Sequence, residues 1–303
     1  MPDPLLTVAI ASSALFDLQD GDHVYRTQGR QAYISYQLEH EQAILKPGVA
    51  FPFIRRLLTL NHIAETTPLV EVVLLSRNDP ETGIRVHNSL SHHGLKIERS
   101  VFTGGRPPYP FIKQFGASLF LSANHQDVSE AIRLGYAAGR VMPGESVDDS
   151  GDELRIAFDF DGVVAGDEAE RLYQERGLKD FHANETSNAL EALSPGPLKP
   201  LLTHIARLQD MEVARVADHP GYQPIIRTSI ITARDGRASR RVVSSLRAWG
   251  IRVDESYFIG NLAKSGFIST FRPHIFFDDK LDNLLPAASV VPSVHIPFGI
   301  SNQ

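Results

Sequence analysis

Two aspartates at the end of a hydrophobic run are the residues of this sequence best suited to chemistry. Asp159 and Asp161 follow the apolar residues 154–158, and Gly162 then turns the chain. Such a run is typical of a buried parallel strand, and ligands in α/β proteins bind at the carboxyl edge of these strands. Two carboxylates spaced by two point the same way, which suits a nucleophile and a proton donor acting on one phosphoryl group around a hard cation. The alternative is a simple acidic turn.

A second polar group follows another predicted strand, residues 225–231. The strand runs into Thr232, Ala233 and Arg234. A hydroxyl and the backbone amides that follow it at a helix start can hold phosphate oxygens. Thr232 alone would more often be a helix cap, and Arg234 could equally be a solvated helix residue.

Two further signals complete a set of four strand ends. Lys264 comes shortly after the predicted strand 257–260, and Asp278 and Asp279 follow residues 273–277. A lone lysine is usually a surface residue, and paired aspartates often form a loop or a helix cap. Because the carboxyl ends of parallel strands share one edge of a sheet, the four signals together predict a single site.

Composition sets the class of protein. At 303 residues the chain can form one large or two medium domains, and its 42% hydrophobic content is ordinary for a globular protein. A net charge of −6 without a long basic run argues against a nucleic-acid binder. The absence of cysteine excludes disulfides and thiolate chemistry. With no basic N-terminal region and no apolar run near ~18 residues, we expect a cytoplasmic protein without a membrane span.

The pattern of apolar residues predicts an α/β fold with alternating strands and helices. The first half should contain strands at 5–12, 70–75, 97–102 and 118–122 and helices at 30–41, 51–61, 83–93 and 127–140. Residues 143–152, rich in Gly, Ser and Asp, are the best candidate linker.

The second half of the sequence repeats the first. Residues 70–125 align without a gap with residues 226–281 at an offset of 156, with 13 identities in 56 positions. Ordinary composition would give on the order of three or four. Convergence of two similar halves could produce some of this, but the gapless register favours an internal duplication. We expect a degenerate half at 1–146 and a catalytic half at 147–303.

The two copies differ at the predicted site. The positions of Asp159 and Asp161 are held by Ala11 and Ser13 in the first copy, and those of Asp278 and Asp279 by Ser122 and Ala123; Pro108 corresponds to Lys264. The first copy therefore lacks each ionisable group of the set. It is expected to serve as cover, substrate wall or oligomer surface.

The order Asp-x-Asp, Thr, Lys, Asp-Asp resembles the haloacid dehalogenase-like phosphatase superfamily over residues 154–280. The whole chain is similar to a narrower group, the cytosolic 5′-nucleotidase type I family. The motifs that carry this resemblance are Tyr-Gln-Leu-Glu-His-Glu at 36–41, Pro-Gly-Val-Ala-Phe-Pro-Phe at 47–53, Thr-Gly-Gly at 103–105, Gly-Pro-Leu-Lys at 196–199, Ile-Thr-Ala-Arg at 231–234 and Arg-Pro-His-Ile-Phe-Phe-Asp-Asp at 272–279. Phe160 and Gly162 depart from the usual first motif of that family.

The resemblance implies a haloacid dehalogenase-like parallel sheet and a Mg²⁺-dependent phosphatase. Asp159 would be the nucleophile, and Asp161 the general acid and base. Lys264 would offset charge on Asp159, while Thr232 and the amide of Ala233 hold phosphate oxygens. Mg²⁺ would be bound by Asp159, the backbone carbonyl of Asp161, and Asp278 or Asp279; Arg234 could pair with phosphate or ribose.

Substrate selection is expected from an insertion at about 166–224, with helical stretches near 167–176 and 200–209, because insertions here act as caps in the superfamily. Lys199 could contact the substrate or solvent. From the first copy, Phe51 and the turn at Thr103 and Gly104 could form a wall for the base. Most aromatic residues at such spacing are simply core.

The leading hypothesis is a 5′-nucleotidase that releases phosphate from nucleoside monophosphates. A second keeps the aspartyl phosphate but assigns another phosphomonoester, or transfer to another alcohol. A third is a nucleotide-binding regulator. A pure binder would not need all five of the intact site residues, which are Asp159, Asp161, Thr232, Lys264 and Asp278. The preferred nucleotide and the oligomeric state stay open, a homo-oligomer included.

Overall fold

The computed structural model describes residues 4–64, 67–145, 148–149 and 151–302. Its strands alternate with helices, as the apolar pattern predicts. In chain order the strands are β1 (Leu6–Ile10), β2 (Val70–Ser76), β3 (Arg99–Phe102), β4 (Leu119–Ser122), β5 (Ala138–Val141), β6 (Leu154–Phe158), β7 (Ile226–Thr232), β8 (Glu255–Phe258), β9 (Ile275–Asp278) and β10 (Ser293–His295).

The helices cover both faces of the sheet. They are α1 (Ser12–Leu15), α2 (Gln19–Glu39), α3 (Phe51–Thr59), α4 (Gly83–His92), α5 (His125–Arg133), α6 (Glu168–Ser187), α7 (Lys199–Asp218), α8 (Ser239–Ala248), α9 (Lys264–Phe271) and α10 (Leu281–Ala287). Short 3₁₀ turns occur at Leu60–Ile63, Tyr109–Phe111, Lys113–Phe115, Gly236–Ala238 and Ile300–Asn302.

The strands form one continuous sheet in the order β3-β2-β1-β4-β5-β10-β9-β6-β7-β8. Within each half, neighbouring strands are parallel. The halves meet where β5 and β10 pair antiparallel. The carboxyl ends of the first-half strands therefore lie at the opposite edge of the sheet from those of the second half.

Corresponding elements have the same bounds in the two halves. At the offset of 156, β2, α4, β3 and β4 coincide with β7, α8, β8 and β9, and β1 coincides with β6 at an offset of 148. Both long helices after the first strand of a half, α2 and α6, bend at a glycine, Gly29 and Gly177. The strand order is also the same, 3-2-1-4-5 against 8-7-6-9-10.

Two short strands differ from the sequence-based expectation. The predicted helix at 127–140 ends at Arg133, and residues 138–141 form β5 instead. The physical reason is that this buried segment pairs with both β4 and β10, so tertiary pairing outweighs a helical pattern. Strand β10 had no counterpart among the predicted elements. The predicted boundary between residues 146 and 147 lies outside the described residues.

A single large apolar cluster runs through both halves. It includes residues of β1 and β6 together with α3 and most of the buried face of α7. Helix α7 is thus a sheet-packing helix, whereas α6 buries only Ala169, Phe181 and Glu185. None of the helices in the described part of the chain has the length and apolarity needed to cross a membrane.

Candidate active site

The side chain of Lys264 lies between two aspartates at the carboxyl edge of the second half. Its Nζ is 2.8 Å from Oδ1 of Asp159, which follows β6, and 2.7 Å from Oδ2 of Asp278, the last residue of β9. All three side chains are buried. Burial alone would lower the pKa of the Lys264 ammonium, but the two carboxylates outweigh it and raise that pKa above its usual value.

A third carboxylate, that of Asp279, joins this group. Its Oδ1 is buried without a hydrogen-bond partner among the described residues. The side chain lies over the turn at Gly162, where a Cβ would come within 2.7 Å of Oδ2 of Asp279. A larger residue than glycine in the turn would therefore displace this carboxylate.

Burial, together with the neighbouring negative charges, raises the pKa values of Asp159 and Asp279. Burial, opposed in part by Lys264, raises the pKa of Asp159 to about 7. Burial together with the charges of Asp159 and Asp278 raises the pKa of Asp279 to about 8. Three carboxylates and one ammonium are therefore costly to hold fully ionised without a further cation.

These three aspartates fit a divalent metal. One oxygen of each lies within 4.8 Å of the others. The set offers only hard oxygen donors, and one of them, Oδ1 of Asp279, is otherwise unpartnered. Mg²⁺ prefers such carboxylate oxygens completed by water. The backbone carbonyl of Asp161, also expected as a ligand, remains a prediction.

The predicted phosphate loop begins at the end of the neighbouring strand. Thr232 is the last residue of β7 and is buried, and Ala233 is exposed beside it. The Thr232 hydroxyl accepts a hydrogen bond from the backbone amide of Arg234 at 3.2 Å. The loop thus follows strand β7 directly, as the sequence predicts.

Arg234 is expected from the sequence at the phosphate or ribose, and in the structure its guanidinium contacts two carboxylates. Its Nε donates to Oδ2 of Asp161 at 2.7 Å and its Nη2 to Oδ1 at 2.8 Å. Its Nη1 pairs with Glu185 of α6. The carboxylate of Asp161 is therefore oriented by a two-bond fork.

The predicted substrate residues of the first half are not near this edge. Thr103 and Gly104 follow β3, which is seven strands from β6, or about 34 Å at the usual strand spacing, and at the opposite edge of the sheet. Phe51 is packed in the core against Phe16 and His93, with ring centroids 6.2 and 5.1 Å away. The predicted wall is corrected to turn and core roles. Lys199 begins α7 and is partly buried.

Two residues beside the site were missed by sequence reasoning. Asn283 in α10 donates to both carboxylate oxygens of Asp278, at 3.1 Å each. Glu185 holds Arg234 as described. For Asn283, the available signal is a polar residue one helical turn beyond the Asp-Asp pair. For Glu185, it is a charged residue at the position that Gln37 holds in the first half, at an offset of 148.

Comparison with known proteins gives a match along the whole chain. A family model described as 5′-nucleotidase matches residues 2–303. Human cytosolic 5′-nucleotidase 1B is 36% identical over 287 residues, which cover 92% of this chain and 47% of that protein. The chain thus spans about half the length of this curated relative.

Among solved structures, a haloacid dehalogenase-like hydrolase from Burkholderia xenovorans matches 50% of this chain and 84% of its own. The sequence identity is 15% and the TM-score is 0.26. A likeness this weak adds nothing to the comparison of sequences.

Proposed function

The chain belongs to the 5′-nucleotidase family, a family of phosphoric monoester hydrolases, and from this premise we propose that it hydrolyses nucleoside 5′-monophosphates to nucleoside and phosphate. The observation that carries the proposal is the placement of Lys264 between Asp159 and Asp278, with Asp279 beside them. A nucleophile, a neutralising ammonium and hard oxygen ligands for a cation are the parts that phosphoryl transfer needs.

In the first step, Oδ of Asp159 attacks phosphorus and the bond from phosphorus to the 5′-oxygen breaks. Lys264 offsets negative charge on Asp159 and on the transferring group. Thr232 and the backbone amide of Ala233 hold the equatorial oxygens. Asp161 gives its proton to the departing 5′-oxygen, so that the nucleoside leaves as an alcohol.

In the second step, a water molecule attacks the aspartyl phosphate. Asp161, now ionised, takes the proton from that water, and the bond between phosphorus and Oδ of Asp159 breaks. This step frees inorganic phosphate and regenerates the carboxylate of Asp159. Mg²⁺ held by Asp159, Asp278 and Asp279 would supply charge neutralisation, so that an anionic nucleophile can approach an anionic phosphate. The carboxylates of Asp159 and Asp161 thus serve both steps.

The helical insertion supports a cap in this proposal. Helix α6 lies between the Asp-x-Asp turn and the phosphate loop in sequence, buries few residues, and reaches the site through Glu185. We assign it to closing over the leaving group, and α7 to the sheet. We also infer that the halves arose by duplication, which their shared strand order and element bounds support. The name of the human relative supports a cytosolic location.

The test is phosphate release from purified protein with a panel of nucleoside monophosphates and sugar phosphates, with and without Mg²⁺, for wild type and Asp159→Asn. We expect Mg²⁺-dependent release from nucleotides that Asp159→Asn abolishes. Turnover of sugar phosphates but not of nucleotides would show that the enzyme is a sugar phosphatase and not a nucleotidase. Saturable nucleotide binding without phosphate release would identify a regulator instead.

A further inference from the structure

The guanidinium of Arg234 lies between the carboxylates of two elements that are distant in sequence. Its fork to Asp161 occupies Nε and Nη2, and Nη1 pairs with Glu185. Arg234 and Glu185 are 4% and 1% exposed. The rings of Phe160 and Phe181 lie 5.6 and 5.4 Å from the guanidinium carbon. This enclosure leaves Arg234 little freedom to turn.

The other oxygen of Glu185 ties helix α6 to helix α8. Oε1 accepts from Nη1 of Arg241 at 2.8 Å, and Nε of Arg241 donates to the carbonyl of Glu191 at 3.2 Å. A buried carboxylate requires such partners, because an unpaired one is strongly destabilising. Stability of the helix packing alone is thus one explanation for Glu185.

The first half makes the same tie with an amide in place of the carboxylate. There Gln37 of α2 takes the place of Glu185, and Nη1 of Arg85 donates to its Oε1 at 3.2 Å, as Arg241 does in the second half. Asn78 and Ser13 take the places of Arg234 and Asp161. A glutamine therefore suffices to join the two helices. The carboxylate of Glu185 occurs in the half that has Arg234 beside it.

We propose that Glu185 is a positioning residue for phosphate ester hydrolysis, which acts through Arg234 to hold the carboxylate of Asp161 in its working orientation. The inference rests on the proposed function, because it assumes that Asp161 is the general acid and base. The fork favours the ionised form of Asp161, which is the form that takes the proton from water in the second step. A two-bond fork fixes both the direction and the plane of a carboxylate. Arg234 would then serve Asp161 instead of the phosphate.

The arrangement also links the orientation of Asp161 to the seating of α6. Both Glu185 and Phe181, which hold Arg234, belong to this helix. A shift of α6 would therefore withdraw the outer support of Arg234 and loosen the fork. Errors of about 1 Å in the position of a catalytic group can lower a rate about 100-fold.

The central variant is Glu185→Gln, which installs the residue found at Gln37 in the first half. Its carbonyl can still accept from Arg241, whereas its amide faces Arg234 with a donor. We expect kcat with a nucleoside monophosphate and Mg²⁺ to fall about 10- to 100-fold. KM should change by less than about threefold, because no group that touches substrate is altered.

Arg241→Gln is the matched control. It weakens the tie to the same carboxylate but leaves the pair between Glu185 and Arg234. We expect a lower melting temperature and a kcat within about threefold of wild type. An equal loss of kcat in both variants would show that only the helix packing matters and would overturn the proposal.

A double-variant cycle tests whether Glu185 acts through Arg234. The variants are Glu185→Gln, Arg234→Gln and both together, compared by kcat. If the path runs through Arg234, the double variant should match Arg234→Gln within about twofold. A loss of kcat in the double variant equal to the product of the two single losses would overturn the proposal.

Asp161→Asn separates this inference from the proposed function. A fully active Asp161→Asn would remove the proposed role of Asp161 itself. A strongly impaired Asp161→Asn together with a folded Glu185→Gln of wild-type kcat would overturn only the inference about Glu185. Should Glu185→Gln not fold, Arg234→Lys decides: it keeps the charge but not the fork, and a wild-type kcat in that variant would overturn the proposal.

Discussion

The two halves of the molecule share a scaffold and differ in charge. Ser89 and Ser245 hold the backbone amides of Leu45 and Leu193 in the same way, at 2.9 Å in each half. At the site, however, the two halves differ. The second half has Lys264 and aspartates at positions where the first half has proline, serine or alanine. Groups that shape the backbone are kept in both halves, whereas the charged groups of the site occur only in the second.

This difference separates residues needed for folding from residues needed for chemistry. A feature present in both halves, such as the hydrogen bond from Arg85 or Arg241 to the preceding long helix, is explained by packing. A charge present only in the second half is costly to bury and requires another explanation. Variants made in matched pairs, one in each half, can test this rule directly.

The largest effect is expected for the proposed nucleophile. Asp159→Asn should lower kcat by about 10⁴-fold or more, because no other group of the site can form the covalent intermediate. The measurement is phosphate release under saturating nucleotide and Mg²⁺. The first-half control is Ser122→Ala, at the position corresponding to Asp278, which should leave kcat within about twofold. A Ser122→Ala variant as inactive as Asp159→Asn would end the distinction between the halves.

The second largest effect is expected for Lys264→Met. Loss of the ammonium should lower kcat about 10²- to 10³-fold, since charge on Asp159 and the phosphate is no longer offset. It should also lower the free energy of unfolding of the metal-free protein by about 3–5 kcal/mol, because Asp159 and Asp278 then face each other unpaired. Urea unfolding with EDTA or with Mg²⁺ measures this.

Partial recovery of stability with Mg²⁺ is expected for Lys264→Met, because the metal would replace part of the lost positive charge. A variant that is as stable as wild type in EDTA would contradict the role given to Lys264. So would a kcat within tenfold of the wild-type value.

Much of this site could be predicted from sequence because its residues follow apolar strands. Asp159 directly follows strand β6, and strands β7 and β9 end at Thr232 and Asp278, as the hydrophobic runs indicate. Parallel strands bring such ends together. The offset of 156 between similar residues likewise anticipates the matching bounds of the elements. Local pattern and chain order are sufficient for these features.

The remaining features depend on tertiary contacts. The antiparallel pairing of β5 with β10 involves two short strands of ordinary composition, and it alone turns the first half's carboxyl edge away from the site. The direction of Arg234 depends on Glu185, 49 residues earlier and in another helix. No short-range spacing encodes either contact, so the substrate wall at Thr103 and the phosphate role of Arg234 could not be tested by sequence alone.

A smaller effect is expected from pH. The pKa values of about 7 for Asp159 and about 8 for Asp279 exceed that of an aspartate in an unfolded chain, near 4. Both carboxyl groups therefore hold their protons in the folded metal-free protein at pH values where the unfolded chain has lost them. Below about pH 6.5 they are opposed by His274, whose pKa burial lowers to about 4. The free energy of unfolding should therefore fall as the pH rises from about 6.5 to about 8.

Mg²⁺ should reverse this loss, because under the proposed function it would bind the ionised carboxylates. We expect the rise in melting temperature on replacing EDTA by Mg²⁺ to be larger at pH 8.5 than at pH 6. In Asp279→Asn the rise in melting temperature should be smaller at both pH values. Ser122→Ala in the first half should behave as wild type. An equal rise at pH 6 and 8.5 in the wild-type protein would contradict the cluster of raised pKa values.

The smallest effects are expected at the glycines where the long helices bend. Gly29 has φ 83° and ψ −179°, and Gly177 has φ 78° and ψ −180°, a region open almost only to glycine. A Cβ at either position would meet nothing within 4 Å, so the cost of alanine comes from the backbone alone. Gly29→Ala and Gly177→Ala should each lower the free energy of unfolding by about 1–3 kcal/mol.

Activity should distinguish this otherwise equal pair. If α6 closes over the leaving group, Gly177→Ala should change KM for the nucleotide by about two- to fivefold, since the first turns of the cap are redirected. Gly29→Ala lies in the half without the charged site and should leave both KM and kcat unchanged. The opposite pattern, with KM altered by Gly29→Ala alone, would mean that the first half contacts the substrate, and the bend in α6 would then be a feature of the scaffold that both halves retain.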